Sequence, residues 1–436
     1  MTTVLDATAG VEVADRTVKA ALAAGADGAQ VVHVFDELFE VTYDNNDINM
    51  IRTTVDDQVS MTVYVNGAKG QASLTGRSND LVEQAAAEAV ASAKAGLADP
   101  ANALVEGEPT SLVEVGDREP QQEAILDAIT RHQAFVREHF PQITLREPTV
   151  QFHNRWRSFV NSVGLQHQER RGSYATSSMF SARQGAHQTS FNYTGASSVD
   201  LFDELHNAAT VTRLMSDTVA SFDPKPVPET FVGDVIFTPD SVGTLLNAVL
   251  QSLTGYVLMR GTSPFQNAIG QTIADSRLTI TNRPRSPQFP LAASFDGDGV
   301  ESCDLPVVTN GVLDHHLIDW YTSRKLGRPM TCGVTALDVA PGDQSFDELV
   351  AGTERGIILG RFSGGMPNQQ LDFSGVAKNS FYVEKGKVQF PISETMIAGN
   401  FAELLNSIRA IGSESINYGG YAFPAIATTG VTISTK

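Results

Sequence analysis

Nine histidines and two cysteines are scattered through 436 residues, and few stand close enough to share a reaction. His132 and His139 lie seven apart on a predicted helix. That spacing keeps them on one face but too far apart to grip one ion, so surface positions are expected. Asp203-Glu204-Leu205-His206 sets acids beside an imidazole, and a solvated face with local ion pairing is expected there. His315-His316 sits in or beside a strand after a hairpin turn, so the two rings should point to opposite faces. With Cys303 nearby in sequence they could form a metal site, but none is expected there. Asp296-Gly297-Asp298-Gly299 opens like a calcium loop but lacks a third acid and a glutamate at the twelfth position, so a tight turn is expected. Cys332 has no base beside it. The two cysteines show no CxxC spacing and imply no disulfide framework, which favours a reducing cytoplasm. No GxSxG elbow, P-loop or dinucleotide fingerprint appears.

Composition narrows the partners. The 31 basic residues face 50 acidic ones, giving a formal charge of −19, and no basic run exceeds two. Phosphate backbones are held by clustered Lys and Arg, so nucleic acid is not an expected partner. No window approaches the length of a membrane span, and the first 25 residues lack the basic-then-apolar order of a secretory signal. The expected setting is cytoplasmic, with no membrane partner.

The elements that must position any site can be read from pattern. Val59, Met61, Val63 and Val65 alternate with polar residues before Asn66-Gly67, which predicts a half-buried strand entering a hairpin. Helices are predicted at Ser78–Lys94, from about Pro120 to Phe140, and at Ser197–Ala220, with a loop over 98–120. Strands fill 142–194, turning at Asn161-Ser162-Val163-Gly164. Pro224, Pro226 and Pro228 then forbid helix, so 221–229 is expected to be an extended connector between a domain at 1–220 and a second at 230–436. The class is α+β: an N-terminal α/β domain and a strand-rich C-terminal one.

One helix bears directly on function. Thr238-Pro239-Asp240 supplies a cap, a first-turn proline and an acid at the positive end of the dipole. Val242, Leu245, Leu246, Val249, Leu250 and Leu253 form one apolar stripe of helical period, and Gly255 is the expected stop. Taken alone, it is a core element.

The flanking runs change that reading. RGTSPFQNAIGQTIADSRLTI, FDGDGVESCDLPVVTNGVLDHHLIDWYTSRKLG, PGDQSFDELVAGTERGIIL, SGGMPNQQLDFSGVAKNSFYVEKGKV and ETMIAGNFAELLNSIRAIG occur in the order found in the TldD/PmbA family, also called modulator of DNA gyrase. So do DGAQVVHV, VSMTVYVNGAKGQASLTG and VNSVGLQHQERR in the first half. The chain resembles that family over nearly its whole length. The resemblance implies the two-domain TldD/PmbA-like fold and a paired-subunit peptidase. TldD-like subunits carry a His-Glu-x-x-x-His zinc helix and a cysteine ligand near the C-terminus. Counting back from Arg260-Gly261-Thr262-Ser263, the motif positions here are Leu246, Asn247 and Gln251, and the C-terminal segment has no cysteine. Leu offers no lone pair, Asn is no general base, and Gln is a feeble zinc ligand beside imidazole.

The resemblance therefore points to the PmbA/TldE-like branch: no cofactor and no catalytic residue in this chain, with zinc only in a TldD-like partner subunit. Self-association as a homodimeric scaffold, or a diverged hydrolase acting on a peptide-like metabolite, are the alternatives. On a regular helix, positions five apart point roughly 140° apart, so a zinc helix of this spacing must bulge. With no metal to stabilise a bulge, Leu245–Gly255 is expected to be regular or nearly so. Gly364, Gly365, Asn368, Asp372 and Phe373, in the Gly- and Asn-rich run, are the candidates for lining a cleft in which a peptide strand pairs with a sheet edge. A bulged hairpin is the structural alternative there.

Overall fold

The computed structural model describes residues 7–393 and 395–435, a mixed α and β chain built on two sheets. The first sheet has nine strands. Its centre is the strand Gly28–Tyr43, paired antiparallel on one side with Ile48–Val65 and on the other with Thr149–Asn161, which in turn pairs with Gln166–Gln184. The Asn66-Gly67 turn joins Ile48–Val65 to Ala68–Thr75, both turn residues adopting positive φ. Alternation fixes the buried side of the central strand. Ala29 and Val31 at one end and Phe39, Val41 and Tyr43 at the other all face the core. Helices Ala7–Ala23 and Asn79–Ala95 cover the first end, and Gln122–His139 covers the second.

Two expectations fail in this half. His132 is fully buried among the side chains around Tyr43, because its place on Gln122–His139 falls on the same stripe as Ile125, Ile129 and Val136. His139 is exposed, stacked on Phe135 with ring centroids 4.5 Å apart. The helix predicted over Ser197–Ala220 begins only at Val211. Before it the chain finishes a strand at Ser198 and makes one 3₁₀ turn at Leu205–Asn207, and Ala209 sits at φ 48°. Arg131 holds that stretch away from helical geometry by donating to Glu204 at 3.0 Å and to the Asp203 carbonyl at 2.5 Å. The acid–imidazole run is thus an ion-paired surface turn.

The second sheet has thirteen strands. Phe231–Phe237 lies at its middle, antiparallel to Tyr421–Ser434 and parallel to Arg355–Leu359. The proline-spaced segment before it is extended: Lys225 donates its amide to the Pro391 carbonyl at 2.9 Å and accepts from Ser393 at 3.0 Å. Among the contacts between the two halves is a clasped loop, residues 294–300. Glu169 accepts from the Ser294 amide at 2.9 Å, His167 donates to the Gly299 carbonyl at 2.8 Å, Gln30 donates to Asp298 at 2.8 Å, and Arg157 donates to the Phe295 carbonyl. That clasp fixes the Asp296 turn relative to the rest of the chain.

Candidate functional site

The helix Pro239–Ser252 follows the strand Phe231–Phe237 and lays its apolar stripe on the sheet. It is α-helical throughout, with no π turn. Thr238 caps it through backbone geometry, its hydroxyl bonding the Ser241 hydroxyl at 3.4 Å instead of an amide, and Asp240 turns away to accept from Thr210 at 2.7 Å. The helix ends at Ser252, three residues before the expected stop. Gly255 instead opens a second short helix, Gly255–Met259, where an added Cβ would lie 2.0 Å from the Thr322 hydroxyl. Close packing, and not a left-handed cap, requires glycine there.

Regularity separates the three motif positions. Leu246 is fully buried in the core of the second sheet. Asn247 and Gln251, four apart, share the exposed face, and neither side-chain amide forms a hydrogen bond within the described residues. That face is the common wall of two hollows of about 480 and 500 Å³. The two hollows adjoin at these two residues and are the first and second lobes of a candidate groove.

The first lobe is closed by the hairpin Arg361–Gly364 and Asp372–Lys378 and the loop between them. Gly364, Gly365 and Asn368 line it, opposite Tyr256 and Arg260. Asp372 and Phe373 do not. Asp372 braces the loop from outside: its carboxylate accepts from Asn368 and Asn400, both at 2.8 Å, and these two amides hold it below the usual carboxylate range. Phe373 lies buried behind the wall, stacked on Phe401 at 4.2 Å, and Phe401 reaches the lobe. The strand Arg361–Gly364 pairs only with Asp372–Lys378, so its other edge is open among the described residues.

The second lobe holds residues the sequence did not single out. Thr331 to Leu337, a run without periodicity, forms one side, with Gly420, Tyr421 and Phe423 beside it. These last three lie in the segment where the resemblance places the third zinc ligand. Asn282, fully buried, holds that side in place: its Nδ2 donates to the carbonyls of Cys303 (3.2 Å) and Gly333 (3.0 Å), and its Oδ1 accepts from Thr335 (3.1 Å) and Ala336 (3.0 Å). Asp296 forms the expected turn, its Oδ1 accepting from Asp298 and Val300 at 2.9 Å, yet it also lines this lobe. Burial raises its carboxyl above the ordinary range.

Cys303 and Cys332 are joined in a disulfide, against the expectation of two unpaired thiols. The chain fold brings together residues 29 apart that share no local pattern. His315 is exposed and donates to the Pro306 carbonyl at 2.8 Å, whereas His316 is buried and donates to the Phe265 carbonyl at 2.9 Å. The two rings are held by different carbonyls, and the disulfide removes the thiolate. Among the described residues no three His, Cys, Asp or Glu side chains are grouped to hold a metal ion. At the motif positions, a core-facing leucine and two neutral amides do not fit zinc.

Residues 230–435 match the family model described as PmbA/TldA metallopeptidase C-terminal domain. Over residues 230–435 the chain is similar to the TldD/PmbA family, and over most of its length to PmbA proteins. It is 25% identical to the Metalloprotease PmbA of Escherichia coli O157:H7 over 411 residues, covering 90% of this chain and 89% of that protein. To the Metalloprotease PmbA homolog of Haemophilus influenzae it is 24% identical over 393 residues, covering 84% and 83%. In fold it is similar to TldE from Thermococcus kodakarensis, with a TM-score of 0.84 at 19% identity over 97% of this chain and all of that one. A Bacteroides thetaiotaomicron structure named for modulation of DNA gyrase also superposes, with a TM-score of 0.84 at 23% identity, covering 98% of each chain.

Proposed function

We propose that this chain is a PmbA/TldE-like subunit that does not cleave peptides itself but supplies part of the peptide-binding cavity for a zinc-bearing TldD-like partner. The observation that carries this is the helix Pro239–Ser252. It presents Asn247 and Gln251 to a groove suited to an extended chain, while Leu246 is committed to the core. The groove supports peptide binding because one wall is a strand with an open edge and glycines that let another backbone approach. Strand pairing reads backbone more than side chains, which suits broad substrates or the trimming of leader peptides.

A second feature supports assembly. In Ile48–Val65, residues 48–56 have no strand partner on their outer edge among the described residues, and Ile48, Ile51 and Val55 are exposed along it. An edge this long without Lys or Pro is a template for pairing with another chain. The same edge serves the alternative of a homodimer. The expectation of a cytoplasmic setting rests partly on cysteines without a disulfide framework, and the Cys303–Cys332 bridge removes that ground; no helix among the described residues is long and apolar enough to cross a membrane.

Co-expression with a TldD-like homologue carrying His-Glu-x-x-x-His tests the proposal. Expected are a mixed complex, zinc bound through the partner, and peptide cleavage by the complex but not by this chain alone. Stoichiometric zinc and chelator-sensitive cleavage by the isolated chain would overturn it.

A further inference from the structure

We infer that the groove selects peptide segments carrying opposite charges at their two ends, the acidic end against Arg260 and the basic end against Asp296 and Asp319. The inference rests on the peptide-groove reading above. Among the described residues, Arg260 is the only charged side chain lining the first lobe. It is exposed, lies over the Tyr256 ring at 5.7 Å, and forms no ion pair among the described residues. The second lobe is lined by two carboxylates, Asp296 and Asp319, and by no described Lys, Arg or His. Neither acid is ion-paired among the described residues, although Asp319 accepts from the Thr322 amide at 2.7 Å. Arg157, whose charge reaches Asp296, is itself held by Glu169 at 3.5 Å. Between the lobes stand the neutral amides of Asn247 and Gln251.

In a chain of net charge −19, a lobe whose only charge is a free arginine runs against the general surface. The groove thus presents a cation at one end, two acids at the other and an uncharged middle. An extended segment bridging the lobes is attracted at both ends only if its own ends differ in sign.

The test uses the full-length chain and four fluorescent decapeptides, acetylated and amidated, with one neutral middle and Lys/Asp, Lys/Lys, Asp/Asp or uncharged ends. A fifth, uncharged peptide with free termini separates terminal charge from side-chain charge as the source. Anisotropy should rank Lys/Asp tightest, by about two- to fivefold per matched end, the range for partly exposed ion pairs. The preference should vanish at about 0.5 M salt. R260E, at an exposed position, should shift the preference to Lys/Lys. D319N, which keeps the helix cap, should weaken the basic end alone. Equal binding of all four capped peptides, or Asp/Asp binding best, overturns the inference and leaves the groove reading standing. If no peptide binds, the neutral one included, the groove reading fails and the inference with it.

Discussion

Rebuilding the zinc motif should fail, and the reason is geometric. In L246H/N247E/Q251H the three motif side chains return, but the helix that carries them is regular. Positions 246 and 251 then differ by roughly 140° around the axis and about 7.5 Å along it, whereas zinc needs each imidazole nitrogen about 2.0–2.1 Å away. The imidazole introduced by L246H would enter the space that Leu246 fills completely. Losing a buried leucine costs about 2–3 kcal/mol, and an unpaired buried imidazole adds about 1–3, less whatever the ring itself recovers by packing. A net loss of about 3–5 kcal/mol is expected, against a total stability on the order of 5–15. Asn247 and Gln251 are exposed, so N247E/Q251H should stay within about 0.5 kcal/mol of the parent. Urea unfolding of parent, double and triple variants, with calorimetric zinc titration of each, gives both quantities. If the triple variant unfolds at the parent's midpoint and takes up one zinc per chain, the claim that Leu246 holds the helix in a non-catalytic geometry is wrong.

Other outcomes follow from single sites. His132 is buried with neither ring nitrogen bonded, and burial holds its imidazole down at about 4. The unfolded state therefore binds a proton more readily: stability is complete above about pH 6.5 and falls by about 3 kcal/mol as pH drops through 6.5 towards 4. His132→Phe should flatten that part of the pH–stability curve by up to one proton and raise stability at neutral pH by about 1–2 kcal/mol; an unchanged slope in urea melts would count against it. Asn282→Ala strips four hydrogen bonds from the second lobe and should cost about 3 kcal/mol or more, with weaker peptide binding, whereas Tm and affinity matching the parent would show that other contacts hold that side. Reducing the Cys303–Cys332 bridge releases a loop of 29 residues and should lower stability by roughly 3–4 kcal/mol, measured as the shift in urea midpoint with reductant. Gly375→Ala would set a Cβ 2.4 Å from the Phe362 ring and push that ring into the first lobe, so peptide affinity should fall more than Tm does.

What the sequence disclosed and what it hid divide along chain separation. The Asn66-Gly67 hairpin and the Asn161 turn are written in residues that contact one another, the Asn161 side chain accepting from the amides of Val163 and Leu165. Helical period likewise placed Leu245, Leu246 and Val249 in the core. Gly255 misled because its reason, Thr322, lies 67 residues on, and local grammar offered only a cap. Asp296 was legible as a turn but not as a groove residue, since Glu169, His167 and Gln30 in the other sheet decide where that turn sits. His132 carried its answer locally, in the stripe it shares with Ile125, Ile129 and Val136, but a histidine on an apolar stripe resists being read as core.

The groove and the motif helix are stabilised by different contacts, and this is why one can persist without the other's chemistry. The second lobe is held by Asn282, the disulfide and the clasped 294–300 loop; the first by Asp372, Asn368 and the Phe373–Phe401 stack. None of these bonds involves positions 246, 247 or 251. A helix obliged to bulge so that residues five apart converge gives up regular hydrogen bonds and depends on the metal to compensate. Placing leucine at the first position and neutral amides at the others removes that dependence: the helix becomes regular, its stripe completes the core, and the exposed amides leave the groove floor uncharged. On the proposed reading, such a chain would keep a groove for a peptide without zinc-binding or general-base groups at these three positions.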